Sequence, residues 1–218
     1  PVEEGGQDIN KIKGADMVLA FGGDGSFLRT FQRLKKRIPV LGINCGNRGY
    51  LMGLTEKNVI QKLPAVFDGK YAVEKRTTVH ATVDGKPAGE ALNEITILSK
   101  IQGRLVRYYL KINEKEFGQQ ANDGILIATP TGSTAHARSA GGPEILQNAP
   151  VLVVVGLNPI DLNNRPLVIN DTSQVTIHSI EKPPLQVIID GQKDFLSDKE
   201  IVVRKGKIVL LAKPQNPD

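Results

Sequence analysis

Two glycine-rich stretches carry the residues best suited to chemistry. In the first, Gly22-Gly23-Asp24-Gly25 follows the apolar run of residues 15–21, ADMVLAF. Glycines at Gly22, Gly23 and Gly25 remove side chains, so backbone N–H groups can approach an anion. A helix starting just beyond adds the positive end of its dipole, which favours phosphate. Asp24 is the odd member, because a carboxylate beside phosphates is repelled by them. It fits there if it contacts a metal ion or takes a proton from an attacking hydroxyl. Arg29, one turn further on, is placed to meet a phosphate oxygen. A plain strand–helix turn with Asp as its polar residue is the competing reading. The chain holds neither G-x-x-x-x-G-K-[ST] nor G-x-G-x-x-G, so this is not one of the common phosphate loops.

The second stretch is residues 123–142, DGILIATPTGSTAHARSAGG. Small and hydroxylic residues after a strand can offer N–H and O–H groups to ribose and phosphate without bulk. Ser133 or Thr134 could cap a short helix through Ala140. A Pro-Gly turn into a helix packed closely by its alanines fits the same residues equally well. Asn93-Glu94 pairs an amide with an acid and could grip a ribose or an adenine edge, although two residues alone read first as a solvent-exposed strand edge. Asp190-Gly191 reads first as a hairpin turn.

Other reactive residue types point elsewhere. His80, His136 and His178 lie far apart with no zinc-site spacing. His80 and His178 are expected in strands. Cys45 is expected in the core. Ser133 sits in no G-x-S-x-G elbow.

The elements that must position these residues change period near Lys75. Residues 15–21 read as a strand buried on both faces. A helix is expected from Ser26, as N-cap, to Arg37, stopped by Pro39. Residues 40–44 read as a second strand, and residues 59–67 as a helix despite Pro64. From 77–83 the pattern alternates and meets Asp84-Gly85, a hairpin signal. Strands are expected at 92–98, 106–112, 125–129, 151–155, 175–178, 187–189 and 201–211, the last broken at Lys205-Gly206. The chain therefore reads as an α/β domain over residues 1–74 and a largely antiparallel domain over 75–218, with its last strands returning to the first domain. Residues 1–14 are polar and supply no strand ahead of residue 15, so the chain is expected to begin inside its natural domain. Residues 214–218 are expected to form a loose tail.

Composition narrows the class. The 218 residues are 40% hydrophobic and 23% charged, ordinary for a globular chain. The net charge of +5 is scattered. Its densest run, Arg33, Lys35, Lys36 and Arg37, suits a solvated helix end, and no aromatics interleave with it as a nucleic-acid platform requires. A single cysteine rules out an intrachain disulfide and fits a reducing compartment. No apolar run reaches the roughly 18 residues of a membrane span, and no signal peptide is read at the start. The expectation is a cytoplasmic protein that binds neither membrane nor nucleic acid.

Taken together, the motifs resemble the NAD kinase family. Gly22-Gly23-Asp24-Gly25, Asn93-Glu94, Asp123-Gly124, Thr129-Pro130-Thr131-Gly132-Ser133-Thr134-Ala135 and Ser139-Ala140-Gly141-Gly142-Pro143 stand in that family's order and spacing. Gly49-Tyr50-Leu51, Asn164-Arg165-Pro166-Leu167 and Ile189-Asp190-Gly191-Gln192 resemble its lesser motifs. The resemblance implies a Rossmann-like first domain, here lacking its first strand, and a β-sandwich second domain. It implies phosphoryl transfer from ATP to the 2′-hydroxyl of NAD, giving NADP, with Mg2+ or another divalent cation carried on the nucleotide phosphates and no metal held by protein side chains. Asp24 would be the catalytic base, and Gly23, Gly25 and Arg29 would meet the donor. Tyr50, Asn93, Glu94, Asp123, Thr134, Ala135, His136 and Ser139 would line the dinucleotide pocket. Asp190 would close it, from this or a neighbouring subunit of a homodimer or homotetramer. The chain departs from the family at His136, usually Tyr, at Arg138, usually uncharged, and at Ser26, usually Thr. A lipid kinase sharing Gly-Gly-Asp-Gly and a non-catalytic dinucleotide binder are the rival readings.

Overall fold

The computed structural model describes residues 14–47, 49–180 and 184–215. The strand expected to be missing ahead of residue 15 falls on residues outside these. The chain divides into two compact units, Pro1–Arg76 with Ile208–Asp218, and Thr77–Lys207.

In the first unit β1 (Val18–Gly22), α1 (Asp24–Arg33), β2 (Val40–Asn44), β3 (Leu54–Thr55) and α2 (Val59–Phe67) follow one another. β1 and β3 both pair with β2 in parallel. Parallel neighbours need crossovers, and α1 supplies the first. The core is Leu41, Ile43, Leu54, Val66 and Ala212, with Met17, Leu19, Val59, Leu63 and Tyr71 packed on it. A ten-residue helix is marginal alone, and α1 is held by burying Phe27 and Leu28. Residues 15–21 do not form a strand covered on both faces. Only Ala20 is buried, and Phe21 is 58% exposed. A continuous apolar run encodes two-sided burial only where both faces are covered, and among the described residues β1 pairs with β2 alone. Cys45 is also exposed rather than in the core. It lies one residue past β2, where its N–H donates to the Gly22 carbonyl at 3.0 Å and its side chain faces solvent.

β4 (Tyr71–Val83) leads into the second unit, which continues through β5 (Lys86–Ala91), β6 (Glu94–Ser99), β7 (Val106–Ile112), β8 (Lys115–Asn122), β9 (Gly124–Ala128), α3 (His136–Ser139), β10 (Val151–Leu157), β11 (Leu167–Asn170), β12 (Val175–Ser179), β13 (Leu185–Ile189) and β14 (Lys193–Ser197). β15 (Glu200–Pro214) pairs with β12 around Ile201–Val203 and, in the first unit, sets Leu211 beside Val40 in parallel. One sheet runs β11-β10-β9-β6-β13-β14 and is antiparallel throughout. Its inward residues, such as Ile95, Ile97, Ile125, Ile127, Val187 and Ile189, share one core with Val106, Tyr108, Leu110, Val175, Ile177, Ile201 and Val203 from the strands facing it. Two antiparallel layers with a common apolar interior make a sandwich. On the outer face Leu126, Ala128, Val153 and Val155 pack against Ala137 of α3. β9 is therefore buried along its whole length, and the small residues after it let α3 lie close. β15 is unbroken at Lys205-Gly206, because Gly206 serves a close approach: a Cβ there would overlap the Thr78 hydroxyl.

Candidate functional site

In the first unit the site residues gather where β1 turns into α1. Gly22 takes φ +133, and a Cβ on it would overlap the Ser26 side chain. The turn is thus closed to any residue but glycine. α1 begins at Asp24, not Ser26, and ends at Arg33, not Arg37. Gly23 is the N-cap, and its carbonyl accepts the N–H groups of Ser26 and Phe27 at 2.9 and 3.2 Å. Ser26 lies inside the first turn and caps nothing. The N–H groups of Asp24 and Gly25 precede any intrahelical carbonyl partner. A Cβ at Gly23 would meet nothing within 4 Å, and one at Gly25 only Arg29 Nη1 at 3.8 Å. Packing does not require these two glycines, whereas bare amides facing an anion would. Arg29 folds back toward this turn, donating from Nη2 to Ser26 Oγ at 3.0 Å.

The Asp24 carboxylate is half-buried and held by backbone. Oδ2 accepts the Tyr50 N–H at 2.9 Å, and Oδ1 the Leu51 N–H at 3.0 Å. A carboxylate facing a phosphate-suited turn is thus kept in place by two amides, an arrangement the sequence did not announce. Tyr50 itself is 68% exposed, so its contribution to Asp24 is its peptide group.

In the second unit three distant motifs meet. Asp190 sits in the β13–β14 hairpin at φ +50, followed by Gly191 at φ +63, the conformations of a tight two-residue turn. Its buried carboxylate accepts the N–H groups of Leu92, Asn93 and Glu94 at 2.7, 2.8 and 3.2 Å, and its own N–H donates to the Glu94 carbonyl at 3.1 Å. The hairpin turn therefore fixes the entry to β6. Glu94 is only 8% exposed, so the pair is not a solvent-facing strand edge. Its Oε2 is buried with no hydrogen-bond partner among the described residues. Burial, and next the negative charge of Asp190, push its carboxyl up to about 8. Near neutral pH Glu94 is therefore mostly a neutral acid, able both to donate and to accept.

The Thr129–Thr134 loop docks on the same peptide. Thr129 N–H donates to the Asn93 carbonyl at 2.9 Å, and Thr129 Oγ1 to the Leu92 carbonyl at 2.6 Å. A Cβ at Gly132 would overlap the Asn93 carbonyl, so this glycine is dictated by the chain itself. Most of the hydroxyls are used internally: Ser133 Oγ donates to the Pro130 carbonyl at 2.8 Å and accepts the Ile145 N–H at 3.0 Å, and Thr131 Oγ1 donates to Gln147 Oε1 at 3.2 Å. The loop closes as a 3-10 turn, Gly132–Thr134, and then α3, whose N-cap is Ala135. Neither Ser133 nor Thr134 caps it, because their oxygens already serve carbonyls three residues back. Thr134 and Ala135 are half-buried, while His136, Arg138 and Ser139 are exposed. Asp123 stands at the opposite end of β9 from Thr129 and accepts from Asn158 Nδ2 at 2.8 Å. With the five residues of β9 between them, Asp123 and Thr129 are six residue steps, about 20 Å, apart along the strand.

Comparison with known proteins gives a consistent result. The chain matches the family model of the ATP-NAD kinase N-terminal domain over residues 7–71 and that of the C-terminal domain over residues 92–209. It is 35% identical over 210 residues to an NAD kinase of Methanothermobacter thermautotrophicus, covering 94% of this chain and 74% of that protein. It is 37% identical over 213 residues to an NAD kinase of Marinomonas sp., covering 93% and 73%. Among solved structures, an NAD kinase from Archaeoglobus fulgidus in complex with ATP superimposes with a TM-score of 0.81 at 30% identity, over 92% of this chain and 78% of that one. Yeast NADH kinase complexed with NADH superimposes with a TM-score of 0.84 at 23% identity, over 92% and 62%, a likeness of fold.

Proposed function

The chain belongs to the NAD kinase family, and from that premise we propose that Asp24 is the base of the transfer and that the Asn93–Glu94–Asp190 cluster holds the acceptor dinucleotide. The reaction is phosphorylation of NAD by ATP, which sets the lipid kinase reading aside. The 2′-oxygen of the adenosine ribose attacks the terminal phosphorus of ATP. A new P–O bond forms there as the bond to the β–γ bridging oxygen breaks, and ADP leaves. The hydroxyl proton passes to the Asp24 carboxylate. Gly23, Gly25 and Arg29 meet the donor phosphates, because the first-turn amides and the guanidinium converge on that turn.

Glu94 is suited to a sugar diol, since its buried Oε2 has no partner among the described residues and a hydroxyl would supply one. Asp190 acts on the dinucleotide through the amides it holds. Tyr50, Thr134, Ala135, His136 and Ser139 are proposed to line the pocket. Of the family's pocket residues Asp123 stands apart, at the far end of β9. Among the described residues no three His, Cys, Asp or Glu side chains converge. A divalent cation, proposed as Mg2+, would be carried on the nucleotide phosphates. The cation neutralises charge on the transferring group when bound. No helix among the described residues is long and apolar enough to cross a membrane. A homodimer or homotetramer is proposed, with exposed Ile160 and Leu162 of the β10–β11 connection and Val168 of β11 as the kind of apolar side chains that subunits cover.

The observation that carries this reading is the Asp24 carboxylate, fastened by two amides at a glycine turn that opens a helix. Asp24→Asn tests it. Turnover of NAD with ATP and magnesium should fall about a thousandfold with dinucleotide affinity changed little. Normal turnover would remove Asp24 from the mechanism.

A further inference from the structure

We infer that Lys213 is a positioning residue for Asp24, acting through the segment 49–53 that the two side chains hold by opposite ends of its peptide groups; this rests on Asp24 being the base. Asp24 takes the N–H groups of Tyr50 and Leu51 at 2.9 and 3.0 Å. Lys213 Nζ donates to the carbonyls of Leu51 and Met52 at 3.2 and 2.8 Å. Leu51 is therefore gripped twice, through its N–H by the carboxylate and through its C=O by the ammonium.

The rest of the segment is fixed, so a displacement at its Lys213 end has to be taken up where Asp24 sits. Gly53 N–H donates to the Gly42 carbonyl at 2.8 Å. A Cβ at Gly53 would come within 2.7 Å of Leu41 Cδ1 and 3.0 Å of Pro214 Cδ, so the segment lies directly on β2 and the end of β15. Met52 fills the space left open above Gly42 and Gly49, where a Cβ would collide with its side chain. Leu51 is buried. Tyr50, by contrast, is 68% exposed, so its amide is held by the Asp24 carboxylate on one side and by the Lys213-bound carbonyls of the next two residues on the other.

Charge is placed accordingly. Lys213 is half-buried, and burial pulls its ammonium down from the usual lysine range, with Arg76 acting in the same direction. Glu74, ion-paired with Arg76, opposes this, and so does Asp24. A buried cation carries a desolvation cost that a neutral hydrogen-bond donor would avoid. Its retention within the field of the Asp24 carboxylate fits a role tied to that carboxylate, beyond tying down two carbonyls.

The test is steady-state kinetics of Lys213→Met, Lys213→Gln and Lys213→Arg in the whole chain, with Lys213→Met also placed in the Asp24→Asn background. Lys213→Met should lower kcat about 30-fold with KM for NAD within about twofold, the signature of a misplaced reacting group. Lys213→Gln, which keeps an NH2 donor but loses the charge and some of the reach, should fall between, and a melting temperature measured for each variant separates loss of fold from loss of kcat. Lys213→Arg can serve both carbonyls and should return kcat to within about threefold of the parent. In the Asp24→Asn background the Met substitution should lower residual turnover less than about twofold, because the group it positions is already gone. Unchanged kcat in the Met or Gln variant, with Asp24→Asn inactive, overturns the Lys213 proposal alone. An equal loss in both backgrounds marks a prop for the fold and overturns it too. Full turnover in Asp24→Asn overturns both assignments together.

Discussion

The β1–α1 turn and the Asn93–Glu94–Asp190 cluster both hold carboxyl groups among backbone amides, yet they hold them differently. Asp24 takes two N–H groups and stays half-open to solvent. Asp190 takes three and is buried. Glu94 is as buried as Asp190 but, among the described residues, takes none at Oε2, and burial with the nearby Asp190 charge pushes its carboxyl up to about 8. The glycines divide in the same way. Gly132 is forced by the Asn93 carbonyl, while Gly23 is forced by nothing in the chain. A residue whose type the fold demands is building the site. One whose type the fold leaves free is there for what arrives from outside.

Substitutions can break this contrast, and the largest effect belongs to Gly132. Gly132→Ala sets a methyl against backbone, with no side chain able to yield, and should cost about 3 kcal/mol or more. A denaturant midpoint within error of the parent would mean that Thr129–Thr134 does not seat on Asn93. Asp190→Asn keeps a residue that tolerates the left-handed turn but puts an NH2 where N–H donors point. About 2–3 kcal/mol should be lost, read by urea unfolding, and an unchanged midpoint would reduce Asp190 to a turn residue. Gly23→Ala should leave the melting temperature within about 1 °C and lower turnover about tenfold, by roughly the 1.4 kcal/mol of one weakened donor contact. A folding defect instead would place Gly23 with Gly132.

Glu94 gives the effect that depends on pH, absent at the acid end and growing toward neutrality. Its folded value lies above its unfolded one, so the native state binds the extra proton between about 4.5 and about 8. Stability from this group is present at the acid end and drains away as pH rises through that window. Glu94→Gln, which cannot ionise, should therefore gain on the parent as pH rises from 5 to 8, by about 10 °C in melting temperature. Equal slopes for the two proteins would show that Glu94 already has a partner.

Much of this was legible in sequence, and the gaps have physical causes. Period-two alternation marked residues 77–83 and 106–112, and the apolar run marked β2. The strands overlooked, Lys115–Asn122 and Lys193–Ser197, each bury only their last residue and show no apolar face. Leu167–Asn170 is only four residues long, and Lys86–Ala91 carries Pro87. α1 was started two residues late because Ser26 has a capping side chain and Gly23 has none, whereas the cap is made by the Gly23 carbonyl. Glycine motifs identified Asp24 and the Thr129–Thr134 loop. What holds Asp24 is peptide groups 26 and 27 residues away, and backbone donors leave no mark in residue type. Nor could spacing tell that Glu94 is buried, since that depends on the hairpin at Asp190.

β15 puts Ala212 into the first unit's core and Leu211 alongside Val40. During synthesis those residues leave the ribosome only after the whole of Thr77–Lys207 has been made. The nascent first unit must wait with its interior unfinished while the later sandwich emerges and closes. Its apolar strands are a target for chaperones through that interval, and the order of assembly runs opposite to the order of translation.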